Sequence, residues 1–313
     1  MSLICLGIIA TLIDPAELVR AVQRADYGLL MAAVVISYLW LVVRATAWRT
    51  LLQNRAKLRD TFFSLNEGYL MNNILPFRLG EIGRAFLIGR KANLDFWKVL
   101  PTVIIERVLD LSLGVGLFLS TVPFVFGADW ALQAAVGTGV LVGLGLAFLF
   151  FLARFRQWVE ILLQKVSARW RWFERLVGSR ASAFLDGLSI LANPGLFLRS
   201  LAWIVINWML GFLQFYCYIR AFFPHGQPLW AAFSLGALSL GISAPSTPGS
   251  LGVYELTLVS ALSLFVDNPS QTTALALTTH AVQYLVTGIP GGIALLRDGE
   301  SLTSLYQKAR RLH

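Results

Sequence analysis

Charged and amide side chains interrupt an apolar part of the sequence around Pro76. Asn73 precedes this proline, and Arg78, Glu81 and Arg84 follow it, spaced three residues apart. Guanidinium groups bind phosphate or carboxylate through paired hydrogen bonds, and a carboxylate binds a cationic group or exchanges a proton. These residue types predict a binding site for a charged headgroup. The structural alternative is that Glu81 only neutralises Arg78 or Arg84.

A second polar break lies about 170 residues further along the chain. Ser246 and Thr247 precede Pro248, and Glu255 follows at a distance similar to that of Glu81 from the first break. We expect Pro248 in the first turn of a new helix with Thr247 as its cap. The N–H groups at the start of a helix attract anions. The two breaks therefore predict two anion-binding helix ends.

A third charged group consists of Glu106, Arg107 and Asp110. In a helix, Glu106 and Asp110 share one face, and Arg107 reaches Asp110. The group is interpreted as a structural ion cluster or as a coupling site.

Composition places these residues in a membrane protein. Of 313 residues, 57% are hydrophobic and only 14% are charged, which is too apolar for an ordinary soluble domain. Apolar runs near the length of about 20 residues that crosses a bilayer occur at residues 27–43, 111–128, 131–153, 200–219, 229–254 and 268–296. Residues 3–13 are too short to span and predict a truncated or tilted first helix.

The net charge of +9 is interpreted as membrane topology and not as nucleic-acid binding, because Lys and Arg cluster beside the ends of apolar runs. Cys5 and Cys217 both lie in apolar sequence, which gives no support to a disulfide framework or to redox chemistry. The three histidines have no zinc-ligand spacing. We therefore predict no metal, cofactor or catalytic residue.

Two polar residues lie within predicted spans. Arg44 is expected to extend toward the membrane interface. The alternatives are a contact with a lipid headgroup and a place in the ion cluster of Glu106, Arg107 and Asp110. His280, with Tyr284 one turn later, favours a helix-packing hydrogen bond over a proton relay.

Placing all basic clusters in the cytoplasm predicts the course of the two broken segments. Residues 61–91 must then begin and end inside, and residues 229–266 must begin and end outside. Each is predicted to be a re-entrant pair of half-helices, because a limb of about 15 residues is about 22 Å long and reaches the midplane. The alternative is that one segment spans as a kinked helix.

The two broken segments belong to an internal repeat. At an offset of 170, residues 34–38 resemble residues 204–208, and residues 63–65 recur as 233–235. The predicted orientations of the two units are opposite, which is typical of transporters that bind substrate near the midplane. The predicted fold is an all-α integral membrane protein, one membrane domain over residues 1–313, with an inverted-topology repeat (27–98 and 199–267) and two re-entrant broken-helix hairpins.

Residues 154–193 differ from the rest of the chain. Aromatic and aliphatic residues recur at helical spacing with Arg and Lys between them. This pattern predicts a cytoplasmic amphipathic helix on the anionic leaflet. A helix that binds a soluble partner is the alternative.

The sequence resembles the flippase-like membrane family that includes the transmembrane half of bacterial lysylphosphatidylglycerol synthases. The matching residues are Arg44 to Arg49, Asn73, Pro76, Arg78, Gly80, Glu81, Arg84, Glu106, Arg107, Asp110, Pro245 to Gly249, Gly252 and Glu255. The resemblance implies lipid translocation, with the broken segments around the headgroup path, in the bacterial inner (cytoplasmic) membrane. One departure from the family pattern is Ser250, which stands where a second glycine is expected. In addition, no aminoacyl-transfer domain follows His313, and synthesis of a lysyl lipid by this chain alone is therefore not expected.

The preferred hypothesis is a lipid flippase for an anionic or phosphate-bearing headgroup. The expected ligand-binding residues are Asn73, Arg78, Glu81, Arg84, Ser246, Thr247 and Glu255. The alternative is a membrane-embedded polyprenyl-diphosphate phosphatase, with Ser246 and Ser250 as the nearest candidates for a phosphate loop. A non-transporting scaffold is the third hypothesis. Protein partners stay open between a homo-oligomer and a lipid-synthesis partner.

Overall fold

The computed structural model describes residues 14–127, 130–155, 157–161, 165, 171–243 and 247–298. The described residues form helices and 3-10 turns joined by short loops, with no strand among them. The expected short helix at residues 3–13 and the expected site residue Ser246 lie outside the described residues. The helices are α1 (Pro15–Arg24), α2 (Tyr27–Leu51), α3 (Leu58–Ile74), α4 (Leu79–Ala92), α5 (Phe96–Phe126), α6 (Trp130–Arg154), α7 (Arg171–Leu188), α8 (Pro194–Phe222), α9 (Pro228–Gly241), α10 (Val253–Leu262) and α11 (Pro269–Asp298).

Short polar caps fix where several helices begin. The carboxylate of Asp26 accepts from the N–H groups of Gly28 and Leu29 at the start of α2. The Asp95 side chain caps α5, and the Asn193 side chain caps α8. These side chains satisfy N–H groups that have no partner inside the helix, so the local sequence defines the starts of the long helices.

Three helices of the described part of the chain are long and apolar enough to cross a membrane. They are α2, α5 and α8, with 25, 31 and 29 residues. Their positions agree with the apolar runs at residues 27–43, 111–128 and 200–219. The all-α membrane class predicted from composition is therefore supported by helices of spanning length.

Both polar breaks occur where the sequence predicts them, but their local structure differs from the expectation. Pro76 and Pro248 begin 3-10 turns, Pro76–Arg78 and Pro248–Ser250, and not α-helices. Residues with left-handed φ angles in these turns cannot continue a right-handed helix, so α10 begins only at Val253. The expectation that Thr247 caps this helix is wrong. Its hydroxyl donates to the carbonyl of Leu251 at 3.2 Å instead.

The helices before and after each break pack around the long helices. Helix α2 packs along α8, α3 packs on α11, and α9 packs on α5. The Lys91 ammonium at the end of α4 lies 2.8 Å from Glu67 of α3 and 2.6 Å from Asp298 of α11. This ion cluster fixes one end of the first broken segment. The second broken segment is held by a separate apolar core that includes Phe215, Leu258 and Ala274.

The end of the predicted amphipathic segment packs against protein. In α7, Leu185 and Leu188 are buried, and Asp186 forms an ion pair with Lys98 of α5 at 2.9 Å. Residues 156, 162–164 and 166–170 of the segment lie outside the described residues. The membrane-surface role of residues 154–193 stays a prediction.

Close contact between α3 and α4 gives a test of this packing. A Cβ atom at Gly80 would lie 1.9 Å from the carbonyl oxygen of Gly68 and 2.6 Å from Asn72 Oδ1. We expect Gly80→Ala to lower the free energy of unfolding by about 1–3 kcal/mol, because overpacking forces backbone shifts. The measurement is thermal unfolding of the purified protein in detergent. Gly116→Ala is the matched control, since a Cβ there meets nothing within 4 Å. Equal unfolding temperatures for both variants would contradict the packing.

Candidate functional site

A cavity of about 480 Å³ lies between the two breaks and the long helices, and we name it the chamber. Residues from both breaks line it, together with residues of α2, α5, α8 and α11. The polar lining residues are Ser37, Arg44, Tyr69, Asn72, Asn73, Arg78, Glu81, Arg107, Asp110, Asn207, Gln214, Tyr218, Ser239, Ser243, Thr247, Ser250, Tyr254, Thr279, His280, Gln283 and Thr287. The structure therefore brings the two predicted breaks to one cavity, which has both polar and apolar lining residues.

The first break brings one incompletely neutralised arginine to the chamber. Glu81 Oε1 lies 2.8 Å from Arg107 Nε but 3.6 Å from Arg78 Nη1. The Arg78 side chain keeps 29% of its surface exposed, and its Nη2 donates to the carbonyl oxygen of Ile242 at the second break. Arg78 thus lies between the breaks, and its strongest local carboxylate is engaged mainly by Arg107.

A buried ion network lies behind this arginine. Glu106 Oε1 accepts from Arg44 at 2.5 Å and from Arg84 at 3.1 Å. Arg44 Nη1 also donates to Asp110 Oδ1 at 2.8 Å. Arg84 lies over the Trp48 ring, 4.6 Å from its centroid. The network joins α2, α4 and α5 through paired charges.

This network corrects two expectations. Arg44 does not extend to the membrane interface, because it is 3% exposed and pairs with two carboxylates of α5. Arg84 is buried and pairs with Glu106, and it does not line the chamber. Its position favours support of the site over contact with a ligand. Both departures arise because a buried guanidinium requires a nearby counter-charge.

The second break carries a different polar arrangement. His280 Nδ1 lies 2.5 Å from Glu255 Oε1, and His280 Nε2 lies 2.9 Å from the carbonyl oxygen of Gly249. The Tyr254 ring stacks on the imidazole at a centroid distance of 4.1 Å. His280 lines the chamber and Glu255 lies behind it. The histidine does connect two helices by a hydrogen bond, but its acidic partner was not apparent from the sequence.

The start of each helix after a break is partly satisfied by the protein itself. The N–H of Gly80 donates to Asn72 Oδ1 at 2.8 Å. The N–H of Gly252 donates to Glu255 Oε2 at 2.7 Å. The two helix ends therefore offer a ligand fewer free N–H groups than the proline pattern alone predicts.

Among the predicted site residues, those that line the chamber are Asn73, Arg78, Glu81, Thr247, Arg44, Arg107 and Asp110. Arg84, Glu106 and Glu255 lie behind its wall. Asn73 is held by a bond from its amide to Thr287 Oγ1 at 3.1 Å. Sequence reasoning missed several amide and aromatic residues of the lining, namely Trp40, Tyr69, Asn72, Asn207, Trp208 and Gln283. Isolated polar residues within apolar helices were the available signal for the amides among them.

Comparison with known proteins relates most of the chain to one family. The family described as "Lysylphosphatidylglycerol synthase TM region" matches residues 1–291. Glycosyltransferase AglD of Haloferax volcanii is 24% identical over 99% of this chain, and the chain spans 55% of AglD. A UPF0104 membrane protein of Methanothermobacter thermautotrophicus is 23% identical, with 96% of each chain covered. A UPF0104 membrane protein of Methanocaldococcus jannaschii is 26% identical over 71% of this chain and 92% of its own. No solved structure gives a significant match.

The shared carboxylate of the ion network gives the second prediction. We expect Glu106→Gln to destabilise the fold by about 3–5 kcal/mol, because it leaves buried Arg84 without its anion and Arg44 with Asp110 alone. Thermal or denaturant unfolding in detergent measures the loss. Glu17→Gln is the matched control, since Glu17 is exposed on α1. A Glu106→Gln protein as stable as this control would refute the structural role of the network.

Proposed function

The chain belongs to the family of lysylphosphatidylglycerol synthase transmembrane regions, and from this premise we propose that it moves a lipid with an anionic or phosphate-bearing headgroup between leaflets. The family and the apolar helices make it an integral membrane protein. We assign it to the cytoplasmic membrane. The relatives compared above are archaeal, so they give no support to the bacterial part of that expectation. The chain spans 55% of AglD, and the proposal carries over no glycosyltransferase activity from that protein.

The position of Arg78 carries the proposal. Three arginines and two carboxylates line the described part of the chamber, namely Arg44, Arg78, Arg107, Glu81 and Asp110. Asp110 pairs with Arg44, and Glu81 lies closest to Arg107. One positive charge is left over, and it is best placed on Arg78. A guanidinium fork with exposed N–H groups suits the oxygens of a phosphate or carboxylate.

The size of the chamber fits a headgroup and not a whole lipid. Small-molecule pockets measure about 300–1,000 Å³, and the chamber of about 480 Å³ lies in the lower half of this range. A phosphate with a small substituent fits beside Arg78 and the amide of Asn73. The acyl or polyprenyl tails would stay in the surrounding lipid, where their burial has no cost.

We further propose that the two halves of the chain form an inverted repeat with two re-entrant hairpins. Helices α2, α3 and α4 with the first 3-10 turn have the same order as α8, α9 and α10 with the second. The short helix before each break packs on the long helix that ends the other half, α3 on α11 and α9 on α5. This exchange of contacts is what a two-fold relation between the halves produces.

The lengths of the broken helices support the re-entrant course. Helices α3, α4, α9 and α10 have 17, 14, 14 and 10 residues, which corresponds to about 26, 21, 21 and 15 Å. Each is shorter than the roughly 30 Å of hydrocarbon. Irregular backbone at that depth is tolerated where it lines a wet cavity. In this arrangement, rocking of the halves about the α2–α8 contact would open the chamber to each leaflet in turn.

Reconstitution tests the function directly. Vesicles containing the protein and fluorescently labelled phosphatidylglycerol or polyprenyl phosphate are treated with a membrane-impermeant quencher. We expect accelerated loss of leaflet asymmetry, and Arg78→Gln should slow it about tenfold or more, because a hydrogen bond to a charged group contributes about 1.5–3 kcal/mol. Arg24→Gln is the matched control, since Arg24 is exposed on α1.

Two results would overturn the proposal. One is a rate equal to that of protein-free vesicles with every labelled lipid. The other is equal rates for wild type and Arg78→Gln. Release of phosphate from a polyprenyl diphosphate that Glu81→Gln abolishes would favour the membrane phosphatase in its place.

A further inference from the structure

His280 has an oxygen acceptor at each ring nitrogen. A carbonyl oxygen can only accept, so Nε2 must carry a hydrogen in order to bond Gly249 at 2.9 Å. The contact of Nδ1 with Glu255 Oε1 at 2.5 Å needs a second hydrogen between the two atoms. The contacts therefore require one proton more than a neutral histidine beside a free carboxylate possesses. This count is the same whether the proton resides on the imidazole or on the carboxyl group.

Loss of that proton must break one of the two contacts. A neutral imidazole that keeps Nε2–H presents the lone pair of Nδ1 to the carboxylate. One that keeps Nδ1–H presents the lone pair of Nε2 to the Gly249 carbonyl. Either arrangement opposes two acceptors at hydrogen-bond distance, and a buried acceptor without a donor is costly. Protonation of the pair is thus linked to how closely the second break packs on α11.

The pair of His280 and Glu255 lies against the turn of the second break, and its contacts hold that turn in place. Glu255 Oε2 accepts from the N–H of Gly252 at 2.7 Å, so the carboxylate holds both the histidine and the backbone that follows the break. On the other side, a Cβ at Gly249 would lie 1.6 Å from the Tyr284 hydroxyl. The turn at residues 248–250 is therefore held tightly between α10 and α11.

The titratable groups around the ring come from two helices. Within the described residues, Glu255 and Tyr254 face it from α10, and Tyr284 lies one turn away on its own helix with a centroid distance of 4.8 Å. The Tyr254 hydroxyl is engaged with Thr279 Oγ1 at 3.2 Å. The charged groups lining the same chamber are Arg44, Arg78, Glu81, Arg107 and Asp110. His280 thus has an acidic partner behind it and the chamber in front of it.

We propose that His280 and Glu255 form a proton-binding site that holds the second break against α11 when protonated, and that makes the proton the coupling ion of transport. The coupling rests on the proposed lipid transport. The step is a simple binding of one proton from the chamber, and its release frees the Gly249 carbonyl or the Glu255 carboxylate. Movement of the headgroup past the second break then follows the release of the proton.

Hydrogen exchange tests the proton site without any transported lipid. The protein in detergent is pulsed with D₂O at several pH values from about 5 to about 9, a range that includes the ordinary charge change of histidine. The peptide covering residues 247–256 is followed after correction for intrinsic exchange rates. We expect its protection to fall severalfold as the pH rises in the wild type. Protection in His280→Gln should be low and independent of pH. The exposed His225 provides the matched control His225→Gln, which should behave as the wild type.

Glu255→Gln provides a second variant if His280→Gln does not fold, and it should also lose the pH dependence. Equal pH dependence in the wild type and in either folded variant would overturn the site. Protection that does not change with pH in the wild type would also overturn it.

A proton gradient across the reconstituted vesicles tests the coupling. We expect the lipid rate of the wild type to change severalfold when the gradient is imposed, and the ratio of rates with and without gradient to fall to about one in His280→Gln. His225→Gln should keep the wild-type ratio. A wild-type lipid rate that does not change with the gradient would overturn the coupling but not the proposed lipid transport. If no lipid moves in any vesicle, the proposed transport fails, and the exchange experiment still decides the proton site.

Discussion

The rest of the structure depends on the ion pairs that the Glu106 carboxylate forms with two buried arginines. Unpaired guanidinium groups are too costly to bury in an apolar interior, and this carboxylate accepts from both Arg44 and Arg84. It thereby ties α2, α4 and α5 together. Asp110 adds α8, because the indole of Trp208 donates to its Oδ1 at 3.2 Å. With these charges satisfied inside the protein, Arg78 faces the chamber beside a carboxylate, Glu81, that lies closer to Arg107.

The two breaks present different charges to the chamber. At the first break the surrounding charges leave a positive surplus at Arg78, which suits an anion. At the second break, Glu255 and His280 need no counter-charge from the chamber while they share a proton. The bond from Arg78 to the Ile242 carbonyl joins the two sides. A ligand that competes for the Arg78 guanidinium would therefore also break this bond between the two breaks.

The sequence predicted features that depend on neighbours along the chain and missed those that depend on distant ones. The breaks at Pro76 and Pro248, the helical class and the polar character of the site follow from local composition. The partners of Arg44 lie 62 and 66 residues away, so a snorkelling side chain was the reasonable expectation for an arginine in an apolar helix. The pairing of Glu255 with His280 was missed for the same reason. The direction of Arg84, away from the chamber, could not be read from its spacing to Arg78.

Backbone geometry gives an independent argument that Arg78 is positioned for a purpose. Phe77 and Arg78 have φ angles of 60° and 54°, a conformation that costs a residue with a side chain about 1–2 kcal/mol. At the second break, Gly249 takes the place of Phe77, where the cost disappears, and Ser250, with a φ angle of 58°, takes the place of Arg78. A glycine would have relieved the first break as well, yet it would have removed the guanidinium. Strained residues persist where the surrounding structure holds them and the geometry has a use. The strained backbone of the first break directs the Arg78 side chain across the gap to the Ile242 carbonyl and the chamber.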